Sequence, residues 1–347
     1  MPSRQQLSQR EIDHVLGHYD LGAVNSINEL AAGSVYSPKV VVESDRGKLL
    51  LKRRARGLDL PPVVAFSHEV ILGCLERGVC VPPLLGTKAD NNSMVQFEDH
   101  VYELFVFIDG IGFDRSPAMI NDHAHESGAL LGELHRVLDQ ITTSFEGPVE
   151  PTAIDMTRLN TLDHQSIGIS KQTHEHFGRM LGYGDELAKA NATGNAIVHG
   201  DWHPGNMIYR GNEIVAICDF DNTRVGSRVR EVAQAMVHFS LKAPAGGQRA
   251  QDCDPAPDLG ALMGFWNGYC SAYADGSLNE TNQSACSLRA CAGLMGPAMI
   301  DEALAAVPAQ GSNAPSEQTR SMLVAVARKA LWLDEHQSEL IAKLQKS

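Results

Sequence analysis

Between Ile197 and Asp221 the chain reads IVHGDWHPGNMIYRGNEIVAICDFD, a stretch dense in groups that can do chemistry. Asp201 and Asn206 share a segment that Pro204 and Gly205 make a tight loop. Asp219 follows a second apolar run, Ile214 to Cys218, set off from Met207-Ile208-Tyr209 by the turn Arg210-Gly211-Asn212-Glu213. A loop aspartate, an amide oxygen and a second aspartate suit phosphoryl transfer. That reaction needs one group beside the attacking hydroxyl, two hard oxygen ligands for Mg2+, and otherwise placement and charge neutralisation. His199, Asp201 and His203 also alternate, and on a strand they would face one way, as metal ligands of a hydrolase might be arranged. Pro204 and Gly205 argue for a loop instead, no further His/Cys cluster stands out, and a hydrolase leaves Asn206 and Asp219 unexplained.

The string H-G-D-x-H-x-x-N at 199–206, followed by D-F at 219–220, resembles the aminoglycoside phosphotransferase and choline kinase superfamily of small-molecule kinases. The loop is also similar to the protein-kinase catalytic loop H-R-D-x-x-x-x-N. The resemblance implies a protein-kinase-like fold, ATP or GTP as co-substrate, Mg2+, and a small hydroxyl compound as acceptor. Aminoglycosides, homoserine, choline or ethanolamine, and sugars are the implied acceptor types. It further implies Asp201 as catalytic base and Asn206 and Asp219 as metal ligands, with His199 and His203 as framework. Asp219-Phe220-Asp221 stands where protein kinases have Asp-Phe-Gly, and the resemblance gives Asp221 no role. A non-catalytic kinase-like binding protein would usually lack the base or a metal ligand, and all are present. A protein kinase would carry an A-P-E-type segment, which is absent at the required position.

These residues need elements to hold them. Residues 10–20 read as a short helix. Residues 27–55 read as three antiparallel strands, with Val40-Val41-Val42 and Leu49-Leu50-Leu51 separated by a turn at 44–47. Alternation places Leu49 and Leu51 on one face and Leu50 and Lys52 on the other. By the resemblance Lys52 meets the phosphates, even though Arg53 and Arg54 follow it. Phe66, Val70, Ile71 and Cys74 share one face of a helix over 63–77, capped at Gly78. Glu69 on that helix is the expected partner of Lys52, with Glu76 a weaker candidate. Gly33 and Ser34, in the loop between the first two strands, are expected over the phosphates. Strands follow at 94–98 and 100–108, and the resemblance implies that the backbone of Val106 and Ile108 meets the adenine edge.

The remainder reads as mostly helical, with an amphipathic stretch from Leu130 to Leu138 and helices near 230–241, 258–274, 283–304 and 317–345. Loops are expected at 243–249 and 308–315. Glu231 is expected to take over a bracing acid's place. The architecture expected is α+β and two-lobed, with a β-rich N-lobe at 1–108 and a helical C-lobe at 109–347. Asp252, Asp254 and Asp258 could receive a substrate amine or form a solvated loop.

Composition bounds the rest. The 347 residues are 43% hydrophobic and 20% charged, enough for a real core. The formal net charge of −13 argues against a nucleic-acid partner and would suit a cationic substrate. Seven cysteines without a CxxC pair point to free thiols. No run approaches the roughly 18 apolar residues of a membrane helix. The polar opening MPSRQQLSQREIDHVL has no leader-like apolar core, so a cytoplasmic protein without a membrane partner is expected. The choice between monomer and homodimer stays open.

Overall fold

A computed structural model describes residues 4–112, 117–151, 159, 168–190, 196–211, 213–242, 248–273, 288–305 and 317–345. The chain opens with α1 (Gln9–Leu16), started by a capping box between Ser8 and Glu11. Strands β1 (Val24–Glu29), β2 (Lys39–Ser44) and β3 (Gly47–Arg53) follow, then α2 (Pro61–Glu76), β4 (Val95–Phe97) and β5 (His100–Val106). The five strands form one antiparallel sheet in the order β1-β2-β3-β5-β4. The pleat sorts their side chains. Val40, Val42, Leu49 and Leu51 pack under α1 with Ile12 and Val15, while Lys52 turns to the opposite face.

The second half is helical: α3 (Pro117–Leu138), α4 (Lys171–Ala190), α5 (Arg228–Ser240), α6 (Leu259–Tyr273), α7 (Leu288–Ala305), α8 (Glu317–Glu335) and α9 (Gln337–Leu344). Helices α3 and α6 pack in unusually close contact. A β-carbon on Gly128 would stand 2.0 Å from the Phe265 carbonyl oxygen, and one on Gly268 2.0 Å from that of His125, so only glycine fits at this crossing. Two short hairpin-like pairs interrupt the helices. Strands β6 (Ala196–Val198) and β9 (Arg224–Gly226) pair, as do β7 (Met207–Arg210) and β8 (Glu213–Ile217). The main core gathers α3, α5, α6 and α7 around Trp202, Met207, Phe220 and Phe239.

The expected mixed α+β architecture is what the chain adopts, with two differences in its helices. Residues 171–190, for which no separate helix is expected above, form α4 and bury Phe177, Met180 and Leu181. The single helix expected over 317–345 is broken at His336, whose ring stacks on Trp332. Residues 283–287 and the expected loop at 308–315 lie outside the described residues, as does most of the loop at 243–249.

Candidate active site

The catalytic-type loop is built by the two small strand pairs. Register Val198↔Arg224 sets the start of the loop, and Met207↔Ile217 brings its end beside Asp219, with Cys218 N–H donating to the Asn206 carbonyl at 2.8 Å. Gly200 sits at φ +83°, and a β-carbon there would collide with the Asn222 carbonyl at 2.2 Å, which explains the glycine between His199 and Asp201. Its N–H donates to Glu231 Oε1 at 2.6 Å. The other Glu231 oxygen accepts from His135 Nε2 at 2.7 Å, so α5 and α3 brace the loop through one buried carboxylate. Burial raises the pKa of Glu231, but the His135 hydrogen bond, the neighbouring His135 and His199 rings and the Gly200 N–H together hold the group below its usual range.

His199 is fully buried and has both ring nitrogens engaged. Nε2 lies 3.1 Å from the Cys218 carbonyl oxygen, and Nδ1 accepts the Asp201 N–H at 3.3 Å. Burial holds it neutral by depressing its pKa. A histidine bound on both sides in this way is framework, not a metal ligand. Trp202 is buried and donates from Nε1 to Ser127. Among the described residues no cluster of three His, Cys, Asp or Glu side chains forms a metal site, so the hydrolase arrangement is absent there.

Asp201 receives Asn206 Nδ2 on its Oδ2 at 3.1 Å and faces Asn222 Nδ2 at 3.4 Å. Its Oδ1 faces His203 Nε2 at 3.6 Å. Burial pushes the Asp201 pKa up, but His203, His199 and the Asn206 bond together hold it below the ordinary value. Asn206 uses its nitrogen on Asp201, and no donor among the described residues reaches its Oδ1. Asp219 adopts a left-handed backbone, φ +65°, uncommon outside glycine and frequent at functional sites.

A cleft of about 250 Å³ lies between the sheet and this loop. Lys52, Asn206 and Asp219 line it together with Gly33, Val106 and Ile108. Two positions differ from the sequence expectation. Ser34 does not line the cleft; its hydroxyl accepts the Tyr36 N–H and its carbonyl accepts from Arg4. Glu69 does not reach Lys52: its carboxylate accepts the Ser144 and Phe145 N–H groups at 2.6 and 3.3 Å, because its place on α2 turns it toward that loop. The Val106 N–H is also committed, to the Pro83 carbonyl at 2.8 Å. The Ile108 backbone has no partner among the described residues and remains open to the cleft.

The carboxylates on Lys52 are Asp219 Oδ1 at 2.8 Å and Asp221 Oδ1 at 2.5 Å. Burial opposes its charge, but these two acids raise its pKa well above that of a free lysine. Behind Asp221 stands Arg54 at 3.4 Å, which pairs with Glu103 of β5 at 2.8 Å and donates to Ser67. Glu103 is 0% exposed and also contacts His68 Nε2 at 2.5 Å. Helix α2 therefore meets the Arg54–Glu103 pair behind the cleft with Ser67 and His68, and offers no acid to Lys52. Sequence reasoning missed Arg54, Glu103, His68 and Lys39, a further lysine in the cleft wall. One signal was available: Glu103 is the single charge inside the apolar run Val101 to Ile108. The acids at 252, 254 and 258 have local partners, Arg249, Lys242 and the Ala261 N–H, respectively.

A family model described as "Phosphotransferase enzyme family" matches residues 27–265. Among solved structures, the chain is similar to a microcompartment-associated aminopropanol kinase, with a TM-score of 0.66 at 15% identity, over 97% of this chain and 100% of that one. It is also similar to an aminoglycoside phosphotransferase from Alicyclobacillus acidocaldarius, with a TM-score of 0.60 at 15% identity over 96% and 95%. An amicoumacin kinase in complex with AMP-PNP, Ca2+ and Ami gives 0.59 at 14% identity over 97% and 96%. At these identities the likeness is one of fold. No curated protein matches the sequence. No helix among the described residues is long and apolar enough to cross a membrane.

Proposed function

The chain belongs to the phosphotransferase enzyme family, and from that premise we propose that it transfers the γ-phosphate of ATP to a hydroxyl of a small, amine-bearing acceptor. The observation that carries this reading is the convergence of Lys52, Asn206 and Asp219 on one cleft, with Asp201 hydrogen-bonded to Asn206 beside it. The open Asn206 Oδ1 and the cleft-facing Asp219 carboxylate are hard oxygen donors, the set that suits Mg2+. Bound there, the metal would neutralise charge on the transferring phosphate. Asp201, kept ionised, accepts the acceptor hydroxyl's proton; its amide partners fix the carboxylate's orientation. Lys52 offers its ammonium to a phosphate oxygen. The Ile108 backbone offers the free donor and acceptor for a base edge.

The amine follows from the acceptor side of Asp201. His203 stands against His238, with ring centroids 5.7 Å apart, and His238 contacts Glu302 at 3.1 Å. Glu302 is half-exposed; burial raises its pKa, but His238 and the Gln234 hydrogen bond together hold it below the ordinary value. An anionic group in this position, on a chain of net charge −13, favours a cation. The test is ADP release measured against a panel of amino alcohols, aminoglycosides, homoserine and neutral sugars. Asp201→Asn should lose at least about 100-fold in kcat while still binding ATP, and Asp219→Asn should weaken Mg-ATP binding. Full turnover by Asp201→Asn refutes the assignment, and a preference for neutral sugars refutes the amine.

A further inference from the structure

Lys39 and Lys52 are directly opposite each other across β2 and β3, so the two side chains share one face of the sheet and line the same cleft. Like charges opposite one another in an antiparallel pair repel. For Lys52 the chain answers with Asp219 and Asp221. For Lys39 it does not. Among the described residues no carboxylate comes within ion-pair distance of Lys39 Nζ and no acceptor hydrogen-bonds to it. The side chain is nonetheless largely shielded from water, beneath the loop at 30–39; a β-carbon on Gly33 would stand 2.9 Å from its Nζ. Burial first, and then the Lys52 charge, lower its pKa, and the more distant Asp219 and Asp221 carboxylates offset this only in part. A shielded cation without a partner is costly, and here it faces a cleft, not the interior.

The loop above it is fastened. Leu30 N–H donates to the Lys39 carbonyl at 2.9 Å, closing the loop's base. From outside, the Arg4 guanidinium donates to the carbonyls of Ala32, Gly33 and Ser34 at 3.3, 3.0 and 3.1 Å. These contacts hold the loop over Lys39.

We propose that Lys39 is a second phosphate-binding cation, completing its ion pair only when a nucleotide's polyphosphate enters the cleft beside Lys52. This rests on the kinase reading above and adds to it a contact that the chain's motifs do not mark. Arg4 is a positioning residue, acting through the loop that covers Lys39.

The experiment is calorimetric titration of ATP, AMP and adenosine into the wild type, Lys39→Met and Lys39→Arg, with a thermal melt of each protein. Losing a charge-assisted contact should weaken ATP binding about tenfold or more, leave adenosine within about twofold, and reduce AMP by less than ATP. Lys39→Arg should recover part of the ATP affinity. Lys39→Met should melt no lower than the wild type, since it removes a shielded charge held in no ion pair; a structural lysine would give a lower melt. Equal ATP affinity in wild type and Lys39→Met overturns the inference, as does an equal loss for ATP and adenosine. A wild type that binds no nucleotide at all would refute the kinase reading itself, which separates the two failures.

Discussion

Replacing Asp221 by asparagine tests how Lys52 is seated. Asp221 Oδ1 lies 2.5 Å from Lys52 Nζ and 3.4 Å from Arg54 Nε, and the residue is 6% exposed. Removing one member of a buried ion pair usually costs about 3–5 kcal/mol, because the surviving charge is stranded. Neither cation is stranded here. Lys52 keeps Asp219 at 2.8 Å and Arg54 keeps Glu103 at 2.8 Å. The asparagine also retains an oxygen that can accept from Lys52. The expected loss of stability is therefore lower, about 1–3 kcal/mol, read as a shift in the urea midpoint at unchanged slope. The functional effect should be larger than this suggests. A carboxylate that ligates a metal loosens its hold on a neighbouring lysine, so on the proposed metal role of Asp219 Asp221 would become the main anchor of Lys52. Asp221→Asn should raise KM for ATP about tenfold and lower kcat per folded molecule. In a double-mutant cycle with Lys52→Met its effect on kcat/KM should largely vanish. Unchanged ATP kinetics in Asp221→Asn, or strictly additive effects in the cycle, would refute the reasoning.

Glu231→Gln leaves one oxygen to serve two buried N–H groups, those of Gly200 and His135. It should cost about 1–3 kcal/mol and lower kcat more than it raises KM for ATP; an unchanged melting temperature would count against the bracing role. Acid should weaken the same framework. His199 and His135 are held neutral by burial, with folded pKa values below the ordinary one. The unfolded chain therefore binds protons first as pH falls, and stability present above about 6.5 declines below it. Urea unfolding between about pH 8 and 5 follows this, and a flat profile across that window would contradict it.

The catalytic-type loop was legible because its chemistry is local. Asp201 and Asn206 lie within one turn-rich string, and a short hairpin returns Asp219 to the same end. The strand carrying Lys52 was legible as an apolar run, and alternation set Lys52 on the face opposite Leu49 and Leu51. The acid expected from α2 was not found there, because that expectation concerned which face of a helix meets a distant strand. Glu69 turns away to Ser144 and Phe145, while Glu103 reaches the site through the pairing of β5 with β3, at the register Lys52↔Glu103. Sequence separation hides such a pairing. Its trace is a lone acid in an apolar strand, which a buried basic partner must balance.

The basic run Lys52-Arg53-Arg54 makes the same point from the other side. As a string it is an undivided cluster that does not single out one member for the phosphates. The pleat divides it. Arg53 turns to the α1 face and pairs with Glu11 at 2.5 Å, so the run's middle charge is neutralised by the first helix. Lys52 and Arg54 turn the other way, and each takes its own acid, Asp221 serving both. Every cation of the run is thus matched within the chain, and a string-based search for phosphate ligands would stop at Lys52. Among the described lysines and arginines that line the cleft, the one held in no ion pair is Lys39, thirteen residues earlier and unremarkable as a string. Only the β2–β3 register sets it opposite Lys52. The proposed role of Lys39 therefore comes from charge balance across the folded cleft and not from any motif.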